Sequence, residues 1–176
     1  MKNRLLLTTL LVLFSLVYLR INTAVGGEQK KGGISWLKYD KAMDLAKKQN
    51  KHIIIDFATT WCGWCKKMHA STYQDAKIVE TISKDFVAAV VDGDSYDILK
   101  LKDGDITEKG LTRQFGVTGY PTTWFLESDG KKIAPAPGYI DTKTMQYVLD
   151  YVRTNTNDKM TFQEFVTQQT LKTGSK

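Results

Sequence analysis

Two cysteines, Cys62 and Cys65, stand three positions apart in the stretch IIIDFATTWCGWCKKM, residues 53–68. Thiols at that spacing can staple a turn, supply half of a metal site, or trade electrons by opening and closing a disulfide. A staple is the weak option, because the stabilisation from a disulfide grows with the length of the loop it closes, and this loop is short. Structural zinc takes four cysteine or histidine ligands, usually from two clusters. Cys62, Cys65 and His69 make one such cluster, and His52 is the one other histidine. No metal is therefore expected, and His69 reads as a surface residue on the helix after the motif. Exchange chemistry fits the pair better. It needs one thiolate to attack and a second thiol near enough to release the product. At a helix start, unpaired backbone N–H groups and the helix dipole would stabilise the Cys62 thiolate. Cys65, one turn further in and buried, would attack the mixed disulfide that Cys62 forms.

The elements that must hold this pair can be read from hydrophobic spacing. Trp36, Leu37, Tyr39, Ala42, Met43, Leu45 and Ala46 recur at helical intervals and predict an amphipathic helix. HIIIDFA, residues 52–58, is a short β-branched run with the look of a buried strand. The cysteine helix follows, then a helix over 75–86 with Ile78, Val79 and Ile82 inward. FVAAVVD, 86–92, predicts a second buried strand; 93–106 reads as a polar loop, and 107–117 as a short helix ending at Gly116. Two strand-like pieces, 120–128 and 131–140, are joined by Ser128-Asp129-Gly130, a hairpin signal. A closing helix starts with Asp141 or Thr142 as its cap and turns Met145, Val148, Leu149 and Val152 to one face. Parallel crossovers followed by an antiparallel hairpin imply an α/β fold, a central mixed sheet with helices on both faces.

With the motifs placed on these elements, DFATTWCGWCK, residues 56–66, resembles the active-site segment of the thioredoxin-fold family, Asp-Phe-x-x-x-Trp-Cys-Gly-x-Cys-Lys. VTGYPTTWFL, 117–126, resembles that family's second signature, a cis-proline followed by threonine and a strand. The resemblance covers about residues 34–154 and is strongest to exported thioredoxin-like proteins, with STYQDAKIVETISKDF as a helical insertion after the motif. It implies a thiol–disulfide oxidoreductase in which Cys62 is the nucleophile, Cys65 the resolving cysteine and Pro121 the cis-proline. Tyr120, Trp61, Gly63 and Trp64 would line the substrate groove. Asp56 matches the buried acid that assists proton transfer from the resolving cysteine, a role suited to a buried carboxyl. Two departures stand out. Where the family often sets a lysine facing that acid from the neighbouring strand, this chain has Ala88 and Ala89 near that position, so the relay is expected to use water. Trp64 replaces the proline of reducing thioredoxins and the histidine of more oxidising relatives; it carries no charge to hold a thiolate, which favours reduction of client disulfides over oxidation or isomerisation. A client-binding module built on Trp61, Trp64 and Tyr120, without turnover, is the reading from another class.

The remaining expectations concern compartment and partners. Residues 1–26 begin with Lys2 and Arg4 and run apolar from Leu5 to Leu19, the pattern of a secretory signal peptide. Ala24-Val25-Gly26 offers a cleavage site; a retained anchor is the alternative, although fifteen apolar-leaning residues fall short of the ~20 that a span needs. Either way the domain lies outside the cytoplasm, in the periplasm or a similar compartment. A linker over 27–33 and a C-terminal extension over 155–176 complete the organisation. Removing Lys2, Arg4 and Arg20 leaves 22 basic against 19 acidic residues, so a net charge of +6 falls to +3. That mild, scattered excess gives nucleic-acid binding no support. Protein thiols and disulfides are the expected partners, with a membrane-bound electron donor to recharge the site. The protein is expected to be a monomer with no cofactor beyond its redox-active cysteine pair.

Overall fold

The computed structural model describes residues 33–174; the segment read as a signal peptide, and the linker up to residue 32, lie outside the described residues. The described chain runs β1 (Trp36–Leu37), α1 (Tyr39–Gln49), β2 (His52–Ala58), α2 (Gly63–Ala70), a 3-10 turn (Thr72–Gln74), α3 (Ala76–Asp85) and β3 (Phe86–Asp92). It continues through β4 (Ile98–Leu101), β5 (Gly104–Thr107), α4 (Glu108–Gln114), β6 (Thr122–Leu126) and β7 (Lys132–Pro137). It closes with α5 (Thr142–Arg153), a second 3-10 turn (Thr156–Asp158) and α6 (Phe162–Gly174). The main sheet has five strands in the order β1-β3-β2-β6-β7. β3 runs parallel to β2 and β6 antiparallel to it, so the mixed sheet with a terminal hairpin is as expected.

β2 sits at the centre, and its alternating side chains divide the core in two. Ile53, Ile55 and Phe57 point to one face, where they meet Tyr39, Ala42 and Ala46 of α1 and Leu111 of α4, with Phe115 just beyond it. Ile54 points to the other, against Met68 of α2, Ile78 and Ile82 of α3, and Met145, Leu149 and Val152 of α5. With period-2 alternation, Asp56 shares the Ile54 face. It is an acidic side chain on a mostly apolar layer, beneath the helix that carries the cysteines. The caps act where the helices must start: Asp75 accepts from the N–H groups of Lys77 and Ile78 at the head of α3, and Asp141 from Thr144 at the head of α5.

Three elements depart from the sequence reading. Trp36 and Leu37 are not the first turn of a helix; they form β1 and pair with Ala88 and Ala89 of β3. Lys38 then starts α1 without a side-chain cap. Residues 93–106 are not wholly loop, because β4 and β5 form a separate two-stranded hairpin with Leu99 fully buried against the α1 side of the core. The C-terminal extension is also more ordered than its weak periodicity suggests. Thr161 and Glu164 cap one another's backbone N–H groups at the head of α6, a reciprocal capping box. Tyr151 of α5 packs on Phe162 and Phe165, and its hydroxyl donates to the Met160 carbonyl at 2.6 Å.

Two substitutions separate core from cap. Ile54→Ala empties a fully buried site and should cost about 2–5 kcal/mol of unfolding free energy. Asp75→Ala should cost only about 1 kcal/mol. Urea unfolding of both variants checks the ranking, and equal losses would contradict the packing described for β2.

Candidate functional site

β2 ends at Ala58, and the chain turns through Thr59, Thr60 and Trp61 into Cys62, the residue that caps α2. The Cys62 N–H donates back to the Thr59 carbonyl at 3.2 Å, which tightens that turn. The Cys65 N–H donates to Cys62 Sγ at 3.1 Å, so a backbone amide at the head of the helix is already aimed at the sulfur that would carry negative charge. Cys62 and Cys65 are joined as a disulfide, and both are buried, Cys65 at 3% exposure and Cys62 at 5%. The expected placement, Cys62 at the helix start and Cys65 one turn in, is what the fold delivers.

Aromatic side chains flank the pair on two sides. Trp61 is 66% exposed and Trp64 56%, high values for indoles. Trp61 meets Tyr120 edge to face at 6.0 Å between ring centres, and its indole N–H donates to Asp94 Oδ2 at 2.6 Å. Tyr120 lies across Gly93, where any side-chain carbon would collide with the phenol. Burial, then Asp94 and Asp92, push the Tyr120 hydroxyl above the ordinary phenol range, so it stays protonated as a donor at neutral pH. On the other side Trp64 packs on Tyr139 at 5.5 Å. The Lys67 ammonium lies over both rings, 4.7 Å from the first and 5.0 Å from the second. Hydrogen bonds with Ser71 and Thr72, and then the Lys67 charge, lower the Tyr139 hydroxyl below its usual range. One wall is thus acidic behind its aromatics and the other cationic.

The Tyr120–Pro121 peptide bond is cis, as the resemblance implied. Tyr120 and Pro121 line a cleft of about 390 Å³ with Val117, Trp124, Pro135 and Pro137. Gly63, the first residue of α2, is exposed, and nothing stands within 4 Å of where a side chain would begin. The expected groove residues therefore divide: Trp61 and Tyr120 touch, Trp64 belongs to the opposite wall with Tyr139, and Gly63 leaves the approach open. Tyr139 and Lys67 lie outside the recognised motifs, so residue order alone does not mark them.

Asp56 is 1% exposed, and here one expectation, that for His69, needs correction. The cross-strand neighbour of Asp56 on β3 is Val90, not Ala88 or Ala89; Ala88 lies one pleat back, opposite Ile54, and Ala89 opposite Ile55, whose side chain belongs to the other face. The lysine position is indeed apolar, but the partner comes from a different element. His69 Nε2 stands 2.6 Å from Asp56 Oδ2, so His69 is not a plain surface residue. It follows Cys65 by four positions on α2 and turns its ring inward over the sheet, between Trp36 and Tyr73, at 5.5 and 5.2 Å from their ring centres. The signal that could have found it is the i, i+4 spacing from a buried cysteine.

Comparison with known proteins follows from this geometry. Residues 39–153 match the family model described as a thioredoxin-like domain. The chain is 31% identical over 116 residues to a protein disulfide-isomerase of Hordeum vulgare and 29% identical to one of Triticum aestivum, in each case over 66% of this chain and 19% of the relative. It therefore spans about a fifth of the length of these relatives. Among solved structures, a thioredoxin from Thermus thermophilus superposes with a TM-score of 0.57 at 21% identity, over 69% of this chain and 88% of that one. A protein described as a putative disulphide-isomerase from Bacteroides thetaiotaomicron gives 0.52 at 26% identity, over 66% and 90%.

The two cysteines should behave unequally. Incubated reduced with oxidised glutathione, Cys65→Ser should accumulate a stable adduct at Cys62, visible by mass spectrometry, while Cys62→Ser should form little. Equal trapping by both variants would contradict the assignment of Cys62 as the attacking thiol.

Proposed function

Since this chain belongs to the thioredoxin-like domain family, we propose that it is a thiol–disulfide oxidoreductase that works outside the cytoplasm as a reductase of disulfides in protein partners. The observation that carries the mechanism is the Cys65 N–H aimed at Cys62 Sγ from the start of α2. In the reduced enzyme, Cys62 attacks a client disulfide as thiolate; one client sulfur leaves, and a Cys62–client mixed disulfide forms. Cys65 then loses its proton and attacks Cys62 Sγ. The Cys62–Cys65 bond forms, the mixed disulfide breaks, and the client departs with both sulfurs reduced. The two electrons lost by the enzyme dithiol equal those the client gains. Asp56 is the base for the Cys65 proton. Tyr120 and Pro121 present a backbone edge to an extended client segment, and the Trp61 and Trp64 walls give it apolar contact.

The direction rests on Trp64. An uncharged indole between the cysteines brings no charge to hold a thiolate, and the Lys67 ammonium is engaged with the Trp64 and Tyr139 rings. The donor described at Cys62 Sγ is one backbone amide, that of Cys65, which leaves the disulfide comparatively favoured over the dithiol and the dithiol a better reductant. The apolar N-terminal run supports export. An exported reductase in turn requires electrons from a membrane carrier. A second reading, isomerisation, draws on the likeness to proteins named protein disulfide-isomerase; it would show as reactivation of a scrambled disulfide protein with no net reduction.

Turbidity from insulin reduction by dithiothreitol tests the primary reading. The wild-type chain should accelerate it severalfold and Cys62→Ser should not; acceleration unchanged in Cys62→Ser would overturn the mechanism.

A further inference from the structure

A buried carboxylate that takes a proton must be held in place and must later pass that proton on. Asp56 has two oxygens in different circumstances. Oδ2 is bonded by His69 at 2.6 Å, whereas Oδ1 makes no hydrogen bond within the described residues. A buried, unpartnered oxygen calls for a physical reason. Cys65 and His69 occupy successive turns on the same side of α2, about 5–6 Å apart at their first side-chain carbons. Both therefore overlook the stretch of β2 that carries Asp56.

The surroundings leave His69 as the group that can change charge beside Asp56. β1 contributes Trp36, β3 contributes Val90 opposite Asp56, and β6 contributes Thr123. The 3-10 turn contributes Tyr73, fully buried, whose hydroxyl pairs with Thr123 Oγ1 at 3.3 Å. Burial first, and then the Asp56 charge, hold that phenol far above its ordinary range, so it remains neutral. On α2 itself, Lys66 points to solvent and Cys65 is the resolving thiol. The His69 side chain is 36% exposed, which gives the ring a path to water that Asp56 lacks.

We infer that His69 is the positioning residue of the resolving step: it fixes Asp56 through Oδ2 so that Oδ1 receives the Cys65 thiol proton, and it returns a proton to solvent. The balance is simple. The Cys65 S–H bond breaks and its proton goes to Oδ1, directly or across one water. The sulfur electron pair forms the bond to Cys62 Sγ, and the client thiolate leaves. The exposed part of the His69 ring then gives a proton a path from this pair to water. Running in reverse, the pair reloads Cys65 when the disulfide is reduced. The device replaces the lysine that this chain lacks, and it rests on the reading of Asp56 as the base.

The experiment follows release of thionitrobenzoate by stopped flow after mixing the reduced full chain with 5,5′-dithiobis(2-nitrobenzoate). The first release reports attack by Cys62, the second resolution by Cys65. Four proteins are compared over about pH 5–8, where imidazole changes charge: wild type, Asp56→Asn, His69→Gln and His69→Ala. Gln keeps a hydrogen-bond donor but does not titrate, so it preserves a purely structural contact. The second phase should slow about tenfold or more in Asp56→Asn and in His69→Ala. In His69→Gln it should lose a pH step that the wild type shows, with the first phase little changed and the near-ultraviolet circular dichroism native. If Asp56→Asn is slow while both His69 variants keep the wild-type rate and profile, the role given to His69 is wrong and the base stands. If Asp56→Asn resolves at the wild-type rate, the base itself is wrong and the inference falls with it. A pH step that persists in His69→Gln overturns the inference even if His69→Ala is slow, since a structural contact alone would then explain the loss.

Discussion

A carboxylate on the central strand of a covered sheet is costly to keep, because burial takes it out of water and only a specific partner offsets the penalty. Asp56 sits under that constraint. Its strand, β2, is bonded on one side by β3 and on the other by β6, and helices close both faces. Much of the neighbouring structure is arranged around this group. α2 must lie over that face for His69 to reach Oδ2, and the same placement sets Cys65 one turn away. Trp36 and Tyr73 must flank the imidazole to orient it, which gives a reason for the two-residue strand β1 and for the tight turn after α2. The redox pair thus does not merely crown a stable fold. It shares a helix with the residue that makes the buried acid tolerable.

The cysteine geometry adds the second half. Cys62 ends a turn and begins a helix, so its sulfur meets backbone donors without needing a charged neighbour. That leaves the residue between the cysteines free to serve other ends. Trp64 uses the position for surface, packing on Tyr139 beneath the Lys67 ammonium, and with Trp61 and Tyr120 it forms two aromatic walls of opposite electrostatic character. A client segment passing between them would meet apolar contact first and charge only behind it.

Much of this was legible from residue order alone. The β-branched run over 52–58, the capped helices at 75–86 and 141–155, and the hairpin at Ser128-Asp129-Gly130 each carry local signals that tertiary packing left in place. Cys62, Cys65, Pro121 and Asp56 were found by motif, and the fold puts them where the motif implies. What was missed shares a cause. Trp36 and Leu37 fit a helical spacing but are taken by the edge of β3, a contact decided some fifty residues away. The β4–β5 hairpin is short, and apolar Ile98 stands exposed on its outer side where alternation would set a polar residue, so its period-2 pattern is weak. The 161–164 capping box is present in TFQE, but the poor periodicity after it masks the helix it starts. His69 is harder to place, because the one local sign of which way it turns is its i, i+4 spacing from Cys65, and its partner Asp56 lies across the fold on another element.

The proposed direction, reduction, rests on an uncharged residue between the cysteines and a helix amide at Cys62 Sγ, and the equilibrium reduction potential of the Cys62–Cys65 couple tests it most directly. Thioredoxin lies at about −270 mV, protein disulfide isomerase at about −180 mV and the strongest oxidants of this kind at about −120 mV. Measured against a glutathione or dithiothreitol redox series, the couple should fall at about −230 mV or lower, towards the thioredoxin end of that scale. A value at or above about −180 mV would place the chain among isomerases and oxidases and contradict the direction assigned here.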